Sequence, residues 1–203
     1  MLPKNIAFQE IEEQADFIKK VLRKNSLFIK LLNLLKGFGL PEWYVGGGSI
    51  GQIVWNYFHN FAPNFGVNDF DVVYFDPNTS YEAEDIFIQK GKKIFKKFPT
   101  KVEIRNQARV HLWFPQKTGI PMKPFTCVEE AISTFPTTSS AIGVTLNPKN
   151  KLKIFAPRGF YDILTITMRA NKVRVSKKAF EKKVKDWSKK WPKLKVIPWD
   201  YLY

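Results

Sequence analysis

Apolar residues recur at helical spacing near the start of the chain. Phe8, Ile11, Ala15, Ile18 and Leu22 share one face, which predicts an amphipathic helix over Ala7 to Arg23. Ser26 is placed to cap a second helix that Gly37, Gly39 and Pro41 would stop. The pattern then shortens. Trp43 to Val45 reads as a strand that runs into Gly46, Gly47 and Gly48, and Ser49 follows as a natural cap for a third helix with Ile50, Ile53, Val54, Tyr57 and Phe58 on one stripe. A loop with Pro63, Asn64 and Gly66 leads into a β-rich run, Asp69 to Phe75, closed by Pro77. A helix is predicted over Tyr81 to Phe98 with Ile86, Ile94 and Phe95 inward. Strands are predicted over Lys101 to Arg105 and Ala108 to Phe114, and a short helix over Cys127 to Thr134. Ala141 to Leu146 and Lys151 to Ala156 form a hairpin around Asn147, Pro148, Lys149 and Asn150. Helices near Tyr161 to Arg169 and Lys177 to Lys190 precede an extended aromatic tail through Trp191, Trp199, Tyr201 and Tyr203. Strands and helices mix along the chain, which favours α/β or α+β over all-α or all-β.

Composition narrows this picture. With 203 residues and 44% apolar content, the chain can bury a sizeable core, and no repeat or flexible linker divides it, so one domain over 1–203 is expected. The most membrane-like run, Ser26 to Leu40, is interrupted by Lys30 and Lys36 and is shorter than the roughly 20 apolar residues a span requires. No membrane partner is expected. Met1 to Lys4 leads into a polar, acidic pattern, Gln9 to Asp16, which does not resemble a secretory leader. Cys127 is the sole cysteine, so no internal disulfide or cysteine-based zinc site can form and a reducing, cytoplasmic setting is expected.

The net charge of +15 is unevenly spread: residues 151–203 carry fifteen Lys/Arg against four Asp/Glu. Such a field favours RNA, DNA or another polyanion at low salt. A solvated lysine-rich surface with no partner has the same composition.

Two short patterns carry candidate chemistry. The glycine turn Gly47-Gly48-Ser49 opens a helix, where close backbone approach, free N–H groups and the helix dipole suit phosphate. Asp69-Phe70-Asp71 heads an apolar strand, where residues i and i+2 share a face about 6.6 Å apart and two carboxylates can converge on a cation. Alone, the first is commonly a tight turn and the second a solvated edge. In this order, strand, glycine turn, helix, loop and acidic strand, they fit metal-assisted phosphoryl chemistry.

That order resembles the polymerase-β-like nucleotidyltransferases, and more closely a bacterial nucleotidyltransferase-like family within them. The matching stretches are Trp43 to Ile50, Val54 to Asn56, Asp69 to Asp76, Glu103 to His111, Pro136 to Thr138, and Trp187 to Trp199. The resemblance implies a mixed sheet flanked by helices, a bound nucleoside triphosphate, and Mg2+ or Mn2+ at Asp69, Asp71 and a third carboxylate. Glu103 is the first candidate for the third position, since its strand can pair beside Asp69 to Phe75; a salt bridge with Lys101 or Arg105 is the alternative. Asp76 is the rival, although its odd spacing from Asp71 turns it to the other face. The chain departs from the family at Gly51 and Gln52, where a basic residue often follows the glycine turn; triphosphate contacts would then fall to backbone amides, Ser49, Arg105, Arg109 or a lysine elsewhere.

Asn106, Gln107 and Arg109 form either a nucleotide-binding wall or a polar network that fixes two strands. His111 and His59 have the character of structural histidines. Trp187, Trp191 and Trp199 either stack bases or pack the terminal segment onto the domain, with Lys177, Lys178, Lys182, Lys183, Lys185, Lys189 and Lys190 facing solvent in both cases. The expected activity is transfer of a nucleoside monophosphate to RNA, a protein hydroxyl or a small molecule. A non-catalytic nucleic-acid- or protein-binding module on a degenerate fold is the competing class.

Overall fold

The computed structural model describes residues 5–201, so Met1 to Lys4 and the tail residue Tyr203 lie outside it. At its centre is a five-stranded mixed sheet in the order β3-β2-β1-β4-β5. The strands are β1 (Tyr44–Gly46), β2 (Asp69–Tyr74), β3 (Lys101–Asn106), β4 (Gly143–Leu146) and β5 (Leu152–Phe155). β1 is antiparallel to both β2 and β4, β2 is parallel to β3, and β4–β5 is the expected hairpin. A two-stranded parallel sheet pairs β6 (Thr167–Met168) with β7 (Lys195–Val196). The mixed sheet flanked by helices is the α/β (α+β) architecture implied by the sequence. Among the described residues no helix is long and apolar enough to cross a membrane.

The pleat divides the sheet into two unlike faces. Val45, Phe70, Val72, Tyr74, Ile104 and Val144 enter the main core with α1 (Ile11–Lys24), α2 (Ser26–Lys36) and α3 (Gly48–His59), and α4 (Tyr81–Ile94) joins it through Phe87. Phe28 meets Phe70 with ring centroids 6.1 Å apart, and Phe87 meets Tyr74 edge-on at 5.2 Å. On the other face, Val128 and Ile132 of α6 (Val128–Ser133) cover Tyr44 and Val73. Asp71 follows Val73 on this face by alternation, so the apolar cover gives way to acidic residues along a single strand.

Several elements depart from the sequence expectations for local reasons. Ala108 to Phe114 is not a strand. The Asn106 side chain accepts from the Ala108 amide at 3.1 Å and turns the chain into a 3-10 turn, Gln107–Arg109, followed by α5 (Val110–Thr118). The expected Tyr161 to Arg169 helix is a single turn, α7 (Tyr161–Leu164), ended by Ile166 at φ 54° before β6. In α4 the inward positions are Glu84, Phe87 and Gly91, leading to Phe95, while Ile86 is 67% exposed and Ile94 41%. The opening is a 3-10 turn, Ile6–Phe8, then α1, with Phe8 and Ile11 exposed. The cap of α2 is Asn25, not Ser26: its Oδ1 accepts from the Phe28 amide at 3.0 Å.

A second core closes the C-terminal segment onto α3. Trp55, Ile166, Met168, Phe180, Trp187 and Trp191 are buried together, with Phe180 and Trp187 supplied by α8 (Lys177–Ser188). The Trp55, Trp187 and Trp191 rings meet in T-shaped pairs at 5.5 to 5.8 Å. Of the two readings of these tryptophans, packing is the one observed. Asn56, fully buried, holds the arrangement: its Nδ2 donates to the carbonyls of Pro63 and Phe65 at 3.2 and 2.9 Å, and its Oδ1 accepts from Trp191 Nε1 at 2.8 Å.

Asn56→Ala strands the buried indole N–H and the Phe65 carbonyl together. The expected loss is about 2–4 kcal/mol, more than one hydrogen bond contributes net, because unsatisfied buried groups carry the full desolvation penalty. Urea unfolding followed by tryptophan emission measures it. A loss below about 0.5 kcal/mol would show that Asn56 is not the fastening between α3 and the C-terminal segment.

Candidate active site

The site is built where β1 hands over to α3. β1 ends at Gly46, the register partner of Asp71. Gly47 then takes φ +79° and ψ −157°, a conformation that glycine tolerates and β-carbon-bearing residues resist, and it occupies the N-cap of α3. A Cβ on Gly47 would lie 3.0 Å from Asp71 Oδ2, so the turn abuts the carboxylate directly. The Gly47 amide donates to the Ile142 carbonyl at 3.1 Å, which ties the turn to the approach of β4. Ser49 is not the cap. It lies in the first turn, 5% exposed, with Oγ donating to the Gly46 carbonyl at 3.4 Å. The first-turn amides of α3, at Gly48, Ser49 and Ile50, have no partner within the helix, which leaves partial positive charge beside Asp71.

Asp69 and Asp71 project from one face of β2, and Glu103 is the direct partner of Asp71 on the parallel strand β3. Neighbouring residues in register share a face, so the three carboxylates lie on the same side of the sheet. Burial first, then Asp69 and Glu103, push Asp71 up to about 6, against the opposing charges of Lys183 and Arg105. Glu103 lies below the usual carboxylate range, first because Lys101 donates a close hydrogen bond to it, with Arg105 at 3.9 Å on its other oxygen. Glu103 thus shares the acidic face with Asp71 and is salt-bridged there, as the alternative sequence reading expected. Among the described residues no group of three His, Cys, Asp or Glu side chains is drawn together closely enough to hold a metal ion. Asp76 sits past the end of β2, where its Oδ1 accepts from the Asn78 amide at 2.9 Å in the loop.

Asn106 ends β3, and Gln107 and Arg109 follow in the 3-10 turn. Asn106 is three residues beyond Glu103, on the opposite pleat face, and 1% exposed. Its Oδ1 accepts from the Asp76 amide at 3.0 Å and its Nδ2 donates to the Asp76 carbonyl at 2.9 Å. Gln107 Nε2 donates to the Arg105 carbonyl at 3.2 Å. Arg109 is paired closely with Glu84 of α4 and lies 5.6 Å over the Tyr81 ring. The contacts of these three residues form a polar network that joins β3 to α4 and to the loop after β2. His59 is structural: Nδ1 contacts the Trp55 carbonyl at 2.7 Å, and Nε2 accepts from the Lys193 amide at 3.1 Å.

Two residues of α8 join the site that the sequence pattern left in solvent or core. A Cβ on Gly48 would lie 2.6 Å from the Trp187 ring, so this indole seals the start of α3. One turn earlier, Lys183 lies 4.6 Å over the Trp187 ring and acts electrostatically on Asp71 and Asp69. It does not face solvent as expected. Lys190 also points inward, donating to the Gly66 carbonyl at 3.1 Å, and Lys177 pairs with Asp200 at 2.6 Å. The signal was present in the helical phase: Phe180, Lys183, Val184, Trp187 and Trp191 recur at spacings of three and four, which places Lys183 on the buried stripe.

The model of a family described as nucleotidyltransferase matches residues 33–196 of the chain. No curated protein matches it. An NMR structure described as revealing a CCA-adding enzyme head domain is similar in fold, with a TM-score of 0.73 and 23% identity over 96% of this chain and 100% of that one.

The state of Asp71 makes stability depend on pH in the metal-free protein. Its pKa of about 6 in the folded chain exceeds the ordinary value of about 3.9 expected when unfolded. The folded state therefore keeps this proton to higher pH, so the group increasingly opposes folding from about pH 4 to 6, and fully above that. Asp71→Asn is expected to raise the melting temperature in chelator at about pH 7.5 and to lose that advantage near pH 4. A stabilisation that is the same at both pH values would show that Asp71 is not held protonated by its surroundings.

Proposed function

The chain belongs to this nucleotidyltransferase family, and we propose that it transfers a nucleoside monophosphate from a nucleoside triphosphate to the end of an RNA acceptor, with release of pyrophosphate. The approach of Gly47 to Asp71 carries the proposal: a helix start suited to phosphate abuts a carboxylate pair suited to a cation so closely that a Cβ on Gly47 would lie 3.0 Å from Asp71 Oδ2. The donor set is entirely carboxylate oxygen, which fits Mg2+ or Mn2+ and neither a soft nor an imidazole-preferring metal. Such an ion, when bound, would neutralise phosphate oxygens and stabilise charge on the attacking and leaving oxygens.

Asp69 and Asp71 would hold the ion. Glu103 would join them by turning from Lys101, and would take the proton of the acceptor hydroxyl as its oxygen bonds to the α-phosphorus. The bond from that phosphorus to the bridging oxygen breaks, and pyrophosphate leaves with the electron pair. The amides at Gly47, Gly48 and Ser49 would orient the phosphates. The RNA acceptor is supported by the excess of cations in residues 151–203, among which Lys182 and Lys189 are exposed on or beside α8. The description of the structural neighbour as a CCA-adding enzyme head domain accords with a nucleic-acid end as acceptor.

Incubation with labelled nucleoside triphosphates, Mg2+ or Mn2+ and total cellular RNA tests the activity. Label is expected in RNA. Asp69→Asn and Asp71→Asn should abolish it with the fold intact, Glu103→Gln should lower it by about 10²–10⁴-fold, and Asp76→Asn should leave it near wild type. Undiminished transfer in both aspartate variants would refute the mechanism, and binding of RNA with no transfer would identify a binding module instead. For an RNA acceptor, Lys182→Gln with Lys189→Gln should also flatten the dependence of acceptor affinity on salt, by up to about 0.9 in log–log slope for each phosphate no longer neutralised.

A further inference from the structure

We infer that Lys183, presented by α8 from the basic C-terminal segment, is the cation that binds the non-transferred phosphates of the triphosphate at the start of α3; this inference rests on the nucleotidyl-transfer function proposed above. A triphosphate seated beside Asp69 and Asp71 needs positive charge beyond any ion those carboxylates hold, and α3 supplies none from its own side chains. No charged residue occurs from Gly48 to Phe58. Gly51 is tightly packed, since a Cβ there would lie 3.1 Å from the Ser139 carbonyl oxygen. Gln52, 8% exposed, is buried.

Lys183 is placed to fill this gap. The Trp187 ring rests on Gly48, and the Lys183 ammonium lies 4.6 Å over that same ring, which puts the cation at the mouth of α3. Of the cations acting on Asp71, Lys183 acts more strongly than Arg105, and Asp71 and Asp69 are the leading acids acting on Lys183 in return. The other basic groups facing the carboxylates, Lys101 and Arg105, lie on the edge strand β3 beside Glu103, one strand removed from the turn between β1 and α3. Among the described residues Lys183 makes no ion pair within 4.0 Å. The helix that carries it is docked through Trp187 against Trp55 and Trp191, so no backbone ordering is required when an anion arrives.

A lysine that only neutralises the aspartates and one that binds phosphate make opposite demands on metal and anion. Binding of Mn2+ alone, of tripolyphosphate with Mg2+ and of orthophosphate with Mg2+ can be measured by calorimetry and by tryptophan emission, for the full chain and for Lys183→Gln, Lys183→Arg and Lys185→Gln. Lys183→Gln is expected to weaken tripolyphosphate by about tenfold or more, as removal of a charge-assisted hydrogen bond does, and orthophosphate much less. Mn2+ alone should bind as well or better, since a like charge beside its ligands is gone. Lys183→Arg should keep most of the tripolyphosphate affinity, and Lys185→Gln, exposed on the same helix, all of it. Unchanged tripolyphosphate affinity in Lys183→Gln overturns the inference alone. An equal loss for Mn2+, orthophosphate and tripolyphosphate also overturns it, since that is the mark of an undocked helix. Failure of the wild type to bind tripolyphosphate with Mg2+ would remove the triphosphate site itself, and Lys183's role with it.

Discussion

The close approach of the Gly47 backbone to the Asp71 carboxylate constrains what surrounds it. At 3.0 Å from Oδ2 there is no space for a Cβ, and the backbone at φ +79° would resist one in any case. The turn can be this tight only because β1 is the antiparallel partner of β2 with Gly46 opposite Asp71, which delivers the chain to the carboxylate as the strand ends. α3 then starts beside the acid rather than over it. The fold thus sets the positive end of a helix against buried negative charge, an arrangement favourable for the protein and convertible to phosphate binding once the carboxylates are neutralised.

Gathering acids at this spot is electrostatically costly. Burial raises the proton affinity of Asp71, and Asp69 and Glu103 on the same face add to the effect. The chain offsets this with its own basic residues, Lys101 and Arg105 at Glu103 and Lys183 toward the aspartates. Lys183 does so at the expense of its own hydration, burial pulling its pKa below the usual lysine range. The basic C-terminal segment is therefore two things at once: exposed lysines such as Lys182 and Lys189, and an inward face that completes both the second core and the acidic site.

Two buried asparagines hold the frame on which this depends. Asn56 joins α3, the loop before β2 and Trp191, while Asn106 fastens the loop after β2 and redirects the chain from β3 into α5. Each uses both ends of its amide, so neither can be replaced by an apolar residue without stranding backbone groups. Their sequence neighbourhoods look alike, polar residues beside a strand or helix, yet only their partners reveal that they are fastenings rather than ligand contacts.

By itself the sequence determined the elements whose signals are local. The 3.6-residue stripe of α3, the β-branched run of β2, the hairpin around Asn147–Asn150 and the same-face placement of Asp69 and Asp71 follow from periodicity and turn chemistry, and the order of glycine turn and acidic strand pointed to the family. Tertiary structure decided what depends on distant partners. The parallel register put Glu103 beside Asp71, a side-chain cap turned Ala108 to Phe114 from strand to helix, and Ile166 cut short the helix expected after Tyr161. Above all, the docking of α8 through Trp187 on Gly48 turned Lys183 from an expected surface charge into a neighbour of the carboxylates. Helical spacing marks which residues share a stripe, but what that stripe packs against is set by contacts more than a hundred residues away, and those contacts decide whether a lysine meets water or an acid.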